Sequence, residues 1–210
     1  MLQLHEYLEI LTAIVVIVDP LGAIPIFISL TTGQNDKERS HTARVAVLVG
    51  ALVLIIACLA GQPVLHFFGI RIASFQVGGG ILILLLAISM LNAKISAAKQ
   101  TSEEAKEAET KENVAVVPLA VPLLAGPAAI STVIIYAHRQ PDWSFKGFLI
   151  LCIVFVMLLV WSLLRLSIPL SQKFGRTGLN NATRIMGLIL AAIAVEFIAA
   201  GMVELFPGLK

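Results

Sequence analysis

One apolar segment near the N-terminus constrains this chain more than any other feature, because it is interrupted by Asp19, Pro20, Gly22 and Pro25. A helix rises about 1.5 Å per residue, so Asp19 is expected near the middle of a hydrocarbon core about 30 Å thick. Prolines lack an N–H donor, and Pro20 moves Asp19 out of the right-handed α region. An acid beside a helix break at this depth indicates a substrate or ion site, and the alternative is a carboxylate that only caps the second half-helix.

Composition places the chain among integral membrane proteins. Of its 210 residues, 58% are apolar and 13% are charged, whereas a soluble domain has roughly 25% charged residues. The net charge of +2 is small and the basic residues are scattered, so nothing indicates a nucleic-acid partner. Cys58 and Cys152 lie inside apolar segments and are interpreted as packing residues. The four histidines lie at segment ends, and nothing pairs them as metal ligands.

Six apolar segments are long enough to cross a bilayer. They cover residues 7–31, 43–65, 71–92, 114–136, 146–169 and 184–206. We expect the first to remain in the mature protein, because no cleavage-like motif follows it. Asn35 and Glu38 have capping-box spacing and predict the start of the second helix, which should end near Pro63. The three glycines at 78–80 favour close helix packing over a hinge.

The polar stretch 93–113 is predicted to be a solvated cytoplasmic linker between two units, 1–92 and 114–210. A shift of 107 positions places Pro20 on Pro127 and Gly80 on Gly187. Each unit has three segments, an odd number, so the second unit enters the membrane from the opposite side. The chain is therefore predicted to be an all-α membrane protein with six transmembrane helices as two inverted three-helix repeats, helices 1 and 4 being broken. This plan is common among secondary transporters.

The distribution of basic residues predicts the orientation. The loops after segments one, three and five carry ten Lys and Arg residues, and the other side carries four. Loops rich in Lys and Arg are usually cytoplasmic. We therefore expect both termini to lie outside. Arg165, near the end of its segment, is interpreted as snorkelling towards the basic side.

Two motifs resemble signatures of a known family. They are the runs DPLGAIPIF at 19–27 and VPLAVPLLAGPAAIS at 117–131. Both resemble the MarC family of bacterial and archaeal integral membrane proteins, and the ending from 183 to 209 is similar to its YchE-type branch. The resemblance covers essentially the whole chain and implies a location in the plasma membrane.

The resemblance also implies a transport activity. Some members of the family are described as ion-coupled transporters of small neutral amino acids such as alanine and glycine, and the family is grouped with amino-acid exporters of the LysE type. In the YchE-type branch, Asn can stand where this chain has Asp19. That leaves open a role in capping and hydrogen bonding rather than in charge pairing.

We therefore expect a secondary transporter of small neutral amino acids, coupled to a proton or sodium gradient. Glu196, near the centre of the sixth segment, is the expected coupling acid inside the bundle, with a structural acid as the alternative. The expected substrate contacts are Asp19, Gly22, Gly126 and Ser131. The prolines that are expected to shape the site are Pro20, Pro25 and Pro127.

The sequence is also consistent with functions other than transport of amino acids. The alternatives are an exporter of drugs or other small metabolites, and a non-transporting protein that assembles with other membrane components. An enzyme is not expected, because no nucleophile, metal cluster or cofactor motif accompanies the acids. No cofactor is predicted, and the sequence leaves a homo-oligomer open.

Overall fold

The computed structural model describes residues 4–31, 33–92, 115–140, 142–206 and 208. All elements of that part of the chain are helices. The predictions for the linker 93–113 lie outside the described residues. The elements are α1 (Leu4–Val18), α2 (Pro20–Leu30), α3 (Asp36–Phe67), α4 (Ile72–Leu91), α5 (Ala115–Leu124), α6 (Pro127–Arg139), α7 (Trp143–Arg165) and α8 (Ser167–Leu205).

Asp19 breaks the first apolar segment into α1 and α2. Its backbone is left-handed, with φ 53° and ψ 67°, a conformation that L-residues adopt only at single positions. Pro20 explains the break, because its ring disfavours the right-handed α conformation of the residue before it. The break predicted at Asp19 is therefore confirmed.

The segment 114–136 is not a single spanning helix. α5 is a π-helix, in which the Ala125 N–H donates to the Ala120 carbonyl at 2.9 Å, and α6 begins at Pro127. Neither piece is long enough to span a bilayer alone. In the described part of the chain, five helices rather than six are long and apolar enough to cross a membrane, with α1 and α2 counted together. The prolines that break this segment are the physical reason for the difference.

α3 begins as the sequence predicts and ends later. The Asn35 side chain accepts hydrogen bonds from the first turn, and Glu38 accepts from the Asn35 N–H at 2.9 Å, which completes the capping box. The predicted end near Pro63 is wrong, because α3 continues to Phe67. A proline in the last turns removes one hydrogen bond, which a long helix tolerates at its end.

α4 and α8 form a close antiparallel pair. A Cβ on Gly80 would lie 2.9 Å from the Ala194 carbonyl, and a Cβ on Gly201 would lie 2.7 Å from the Ala73 carbonyl. Residue numbers that increase along α4 therefore contact residue numbers that decrease along α8, so the two helices are antiparallel. Gly79 also lies at a helix contact, whereas Gly78 faces open space. The packing interpretation is confirmed for two of the three glycines.

The broken segment lies in the middle of the bundle. In the apolar window of α1 and α2, 61% of residues are buried, against 28–39% in the other four spanning helices. α6 is buried throughout residues 131–137. The long helices α3, α4, α7 and α8 surround these pieces and turn apolar faces outwards, as helices in lipid do. Cys58 and Cys152 are free and buried, which confirms their interpretation as packing residues.

Candidate functional site

The N-terminus of α2 is occupied by its own cap. Asp19 Oδ1 accepts a hydrogen bond from the Gly22 N–H at 3.0 Å, and Asp19 is only 3% exposed. A Cβ on Gly22 would overlap Asp19 Oδ2. Gly22 therefore makes room for the carboxylate that Pro20 helps to place. The capping alternative for Asp19 is confirmed, and its contact with substrate stays a prediction.

The N-terminus of α6 is built in the same way but carries no acid. Gly126 is its N-cap residue, with φ −76° and ψ 171°, and it has no side chain with which to cap the helix. Gly126 is buried and Pro127 is the first helical residue. The first N–H groups of a helix have no partner within the helix and lie at its positive end. This buried N-terminus is therefore suited to bind an anion supplied by a ligand.

Ser131 lies one turn into α6 and is 4% exposed. A Cβ on Gly79 would be 3.0 Å from Ser131 Cβ, so α4 approaches α6 closely at this hydroxyl. Thr132, which is fully buried beside it, donates its Oγ1 hydrogen to the Ala128 carbonyl at 2.9 Å. Ser131 thus places a small polar group beside the uncapped end of α6.

Asp19 and Gly126 lie at similar depths in the bundle. The segment formed by α5 and α6 runs parallel to α3, because Gly50 and Gly61 of α3 meet Leu124 of α5 and Ile134 of α6 in that order. α1 belongs to the span that precedes α3, and consecutive spans cross a membrane in opposite directions. An ion pair of 3.2 Å between Glu9 and Arg139 joins α1 to α6. From that pair, Asp19 is about 15 Å along α1 and Gly126 about 20 Å along α6. The two breaks therefore differ in depth by only about one helical turn.

The far ends of the two half-helices are held by arginines that the sequence analysis did not single out. Arg139 bonds Glu9 and lies 4.7 Å from the centre of the Tyr136 ring. Arg39 donates from Nε to Thr31 Oγ1 at 3.1 Å and from Nη2 to the Thr31 carbonyl at 3.3 Å. A basic residue near a helix C-terminus is a weak signal for such a contact. Nothing in the spacing identifies its partner.

Glu196 is the predicted site residue that lies on α8. Its side chain is exposed, so it is not buried inside the bundle as expected. The neighbouring Phe197 is buried and packs against Tyr136, with ring centres 5.5 Å apart. On the antiparallel pair, Glu196 is level with Gly80, in the middle of α4. Its role in ion coupling stays a prediction.

The site-shaping prolines have different positions. Pro20 is buried at the first position of α2, and Pro127 is exposed at the first position of α6. Pro25 lies inside α2 and is exposed. Pro20 and Pro127 therefore define the two breaks, whereas Pro25 acts within α2.

These features define a multi-pass membrane protein with two broken helices in its centre. The chain belongs to the MarC family of integral membrane proteins, whose family model matches residues 4–206.

Curated relatives match over nearly their whole length. The UPF0056 membrane protein YhcE of Escherichia coli K12 is 39% identical over 97% of this chain and 94% of its own. MJ0972 of Methanocaldococcus jannaschii is 34% identical over 99% of this chain and 91% of its own. YvbG of Bacillus subtilis is 35% identical over 91% of each chain. No solved structure matches this chain.

Proposed function

We propose that this protein is a secondary transporter of small neutral amino acids such as alanine and glycine. The observation that carries the proposal is the difference between two similar helix breaks. The N-terminus of α2 is capped by the Asp19 carboxylate, whereas Gly126 at the N-terminus of α6 has no side chain with which to cap it. One break therefore presents a negative group and the other a positive helix end at a similar depth.

A zwitterion matches this pair of charges. The carboxylate of an amino acid is placed at the N–H groups of α6, beside the Ser131 hydroxyl, since helix N-termini bind anions. Its ammonium group is placed towards Asp19. The close approach of Gly79 to Ser131 leaves little space, which favours a small side chain on the substrate.

An inverted repeat is the architecture that we propose for this transporter. The shift of 107 positions maps Gly80, Ala87 and Leu91 onto Gly187, Ala194 and Ile198. The close contacts follow the same shift: Gly80 meets Ala194 and Ile198, while Gly187 meets Ala87 and Leu91. Two glycines that exchange equivalent partners are what a two-fold relation between the units requires. This reciprocity supports the repeat independently of sequence similarity.

The transport cycle that we propose uses a proton or sodium gradient across the plasma membrane. Glu196 is kept as a proposed coupling acid, because ionisable residues at mid-membrane depth are costly and usually functional. Its exposure on α8 means that it would act at the edge of the bundle rather than in the central site.

Uptake of labelled alanine into proteoliposomes tests the proposal. We expect uptake when a proton or sodium gradient is imposed, and we expect Glu196→Gln to lose gradient-driven uptake while keeping exchange of alanine across the membrane. Ser131→Ala should raise the apparent KM about three- to tenfold, the effect of removing one substrate hydrogen bond.

Ser162→Ala is the matched control for the Ser131 variant. Ser162 is exposed on α7 and donates to the Leu158 carbonyl of its own helix at 2.9 Å, so its removal should leave the KM unchanged. Absence of alanine movement in wild-type vesicles under every gradient would contradict the proposal. In that case, the exporter and assembly alternatives would take its place.

A further inference from the structure

The C-terminal end of α6 is tied to both α1 and α3 by polar side chains. Arg139 Nη1 donates to Glu9 Oε1 of α1 at 3.2 Å. The neighbouring His138 joins α3, since its Nδ1 lies 3.1 Å from Gln62 Nε2. In the proposed inverted repeat, Glu9 and Gln62 belong to the first unit and both α6 residues belong to the second. These contacts therefore connect the two units at one end of α6.

The contacts lie on one side of the proposed substrate site. Ser131 marks that site on α6, and Arg139 is about 12 Å further along the helix at about 1.5 Å per residue. Between them, the buried Tyr136 packs its ring against Phe197 of α8 and lies 4.7 Å from the Arg139 guanidinium carbon. An aromatic pair and a polar layer therefore separate the site from this side of the bundle.

The ion pair in the polar layer is suited to break and form again. The side chains of Glu9 and Arg139 are 43% and 39% exposed. An exposed ion pair contributes little to stability, because water screens the two charges and hydrates them when they separate. Ser131 and Tyr136, by contrast, are 4% and 1% exposed. The structure is thus closed over the site at this end, and the closing contact at its edge opens at little cost.

The arginine at the other half-helix makes a different kind of contact. Arg39 of α3 bonds Thr31 at the end of α2, and both residues belong to the first unit. Secondary transporters built from inverted repeats open a central site to one side at a time by moving one repeat against the other. Contacts that join the repeats must break during this motion. The contacts of Arg139 and His138 meet that requirement, whereas the contact of Arg39 with Thr31 stays within one unit.

We propose that Glu9, Arg139, Gln62 and His138 form a gate that closes the substrate site on the side where α6 ends. The closed gate holds α6 against α1 and α3, and opening separates Arg139 from Glu9 and His138 from Gln62. The inference rests on the proposed function for the position of the site, but not on the identity of the substrate. In the predicted orientation, this is the external gate.

Labelling of Ser131→Cys by a membrane-impermeant thiol reagent measures opening of the gate. The reagent is applied to right-side-out and to inverted membrane vesicles, and labelling of Asp142→Cys identifies the face on which α6 ends. Glu9→Gln should raise the labelling rate from that face about two- to fivefold, the effect of losing an exposed ion pair. It should not raise labelling from the opposite face. The same variants without Ser131→Cys give the background from the buried Cys58 and Cys152.

Exchange of the two charges tests the pair itself. Glu9→Arg and Arg139→Glu should each raise labelling, and the two changes together should return it towards the wild-type rate. Glu204→Gln is the matched control, because Glu204 is an exposed carboxylate near the C-terminus of α8, and it should leave labelling unchanged. Ala129→Cys, in the first turn of α6, is the second reporter if Ser131→Cys does not fold.

The outcomes separate the gate from the proposed function. Faster labelling of Glu9→Gln from the α6 end alone, in a protein that moves no alanine, keeps the gate and removes the proposed function. Equal labelling of wild type and Glu9→Gln overturns the gate, even where alanine is transported. Faster labelling from both faces also overturns it, since loss of the ion pair would then loosen the whole bundle. So does a charge exchange that labels as fast as the single variants.

Discussion

At the scale of single residues, the left-handed Asp19 and the neighbouring Gly22 form one unit. The carboxylate folds back over the first turn of α2, and it fits there because residue 22 has no Cβ. The sequence motif predicts the break and the cap, since Pro20 and a short polar side chain are sufficient signals. It does not predict the left-handed conformation, which depends on how α1 and α2 pack.

Gly22→Ala should displace the Asp19 carboxylate from α2. The added Cβ would overlap Asp19 Oδ2, and relief of such a clash in a packed site costs about 1–3 kcal/mol. Gly78→Ala is the matched control, because a Cβ there meets open space. It should leave the free energy of unfolding unchanged or raise it by up to about 1 kcal/mol. Equal thermal stabilities of the two variants would contradict the claim that Gly22 makes room for the Asp19 carboxylate.

Replacement of Asp19 by Ala or Asn separates the cap from the charge. Asp19→Ala should lower the free energy of unfolding by about 0.5–2 kcal/mol, because the Gly22 N–H loses its acceptor. Asp19→Asn should stay close to wild type, since Asn both caps helices and tolerates the left-handed region. Thermal unfolding in choline chloride measures both. An Asn variant as unstable as the Ala variant would show that the charge itself holds the fold.

At the scale of elements, glycine contacts fix the pairing of α4 with α8. Gly80 and Gly187 allow backbone atoms of the two helices to touch, and each meets the equivalent partners of the other. Low-complexity apolar sequence matches easily by chance, and these contacts support the proposed repeat independently of the shift of 107 positions. The sequence also predicts that the second helix ends near Pro63, whereas α3 continues to Phe67, because a proline near the end of a helix costs little.

Gly80→Ala and Gly187→Ala should destabilise the protein by similar amounts. The new Cβ atoms would lie 2.9 Å from the Ala194 carbonyl and 3.0 Å from the Ala87 carbonyl, distances that force the helices apart. A cost of about 1–3 kcal/mol is expected for each. The Gly78→Ala variant again serves as the control in thermal unfolding. A large cost at one glycine and none at the other would argue against equivalent contacts.

At the scale of the whole molecule, the sequence predicts the depth of a residue in the membrane better than the direction in which its side chain points. It places Glu196 near mid-membrane, and the pairing of α8 with Gly80 agrees with that depth. It does not reveal that the side chain points outwards. The outer face of α8 carries Leu188 and Val195, which are 66% and 58% exposed and as apolar as a core. Lipid-facing and core-facing residues are alike in hydropathy, so periodicity cannot tell them apart.

The predicted orientation can be tested with single cysteines. Lys37 and Asp142 are both exposed near the starts of α3 and α7, on sides that the positive-inside rule predicts to be cytoplasmic and external. In intact cells, a membrane-impermeant maleimide should label Asp142→Cys and not Lys37→Cys, whereas both should react after lysis. The native Cys58 and Cys152 are buried, and labelling of the wild-type protein gives the background signal from them. The reverse pattern would invert the topology.

Competition during alanine exchange across proteoliposomes is the most direct test of the proposed substrate site. The substrate carboxylate is proposed to lie at the N-terminus of α6, so unlabelled alanine and glycine should compete with labelled alanine. Alaninamide, which keeps the ammonium group and lacks the carboxylate, should compete at least about tenfold more weakly, since one lost charged hydrogen bond costs about 1.5–3 kcal/mol. Equal competition by alaninamide, or no exchange of alanine at all, would contradict the account.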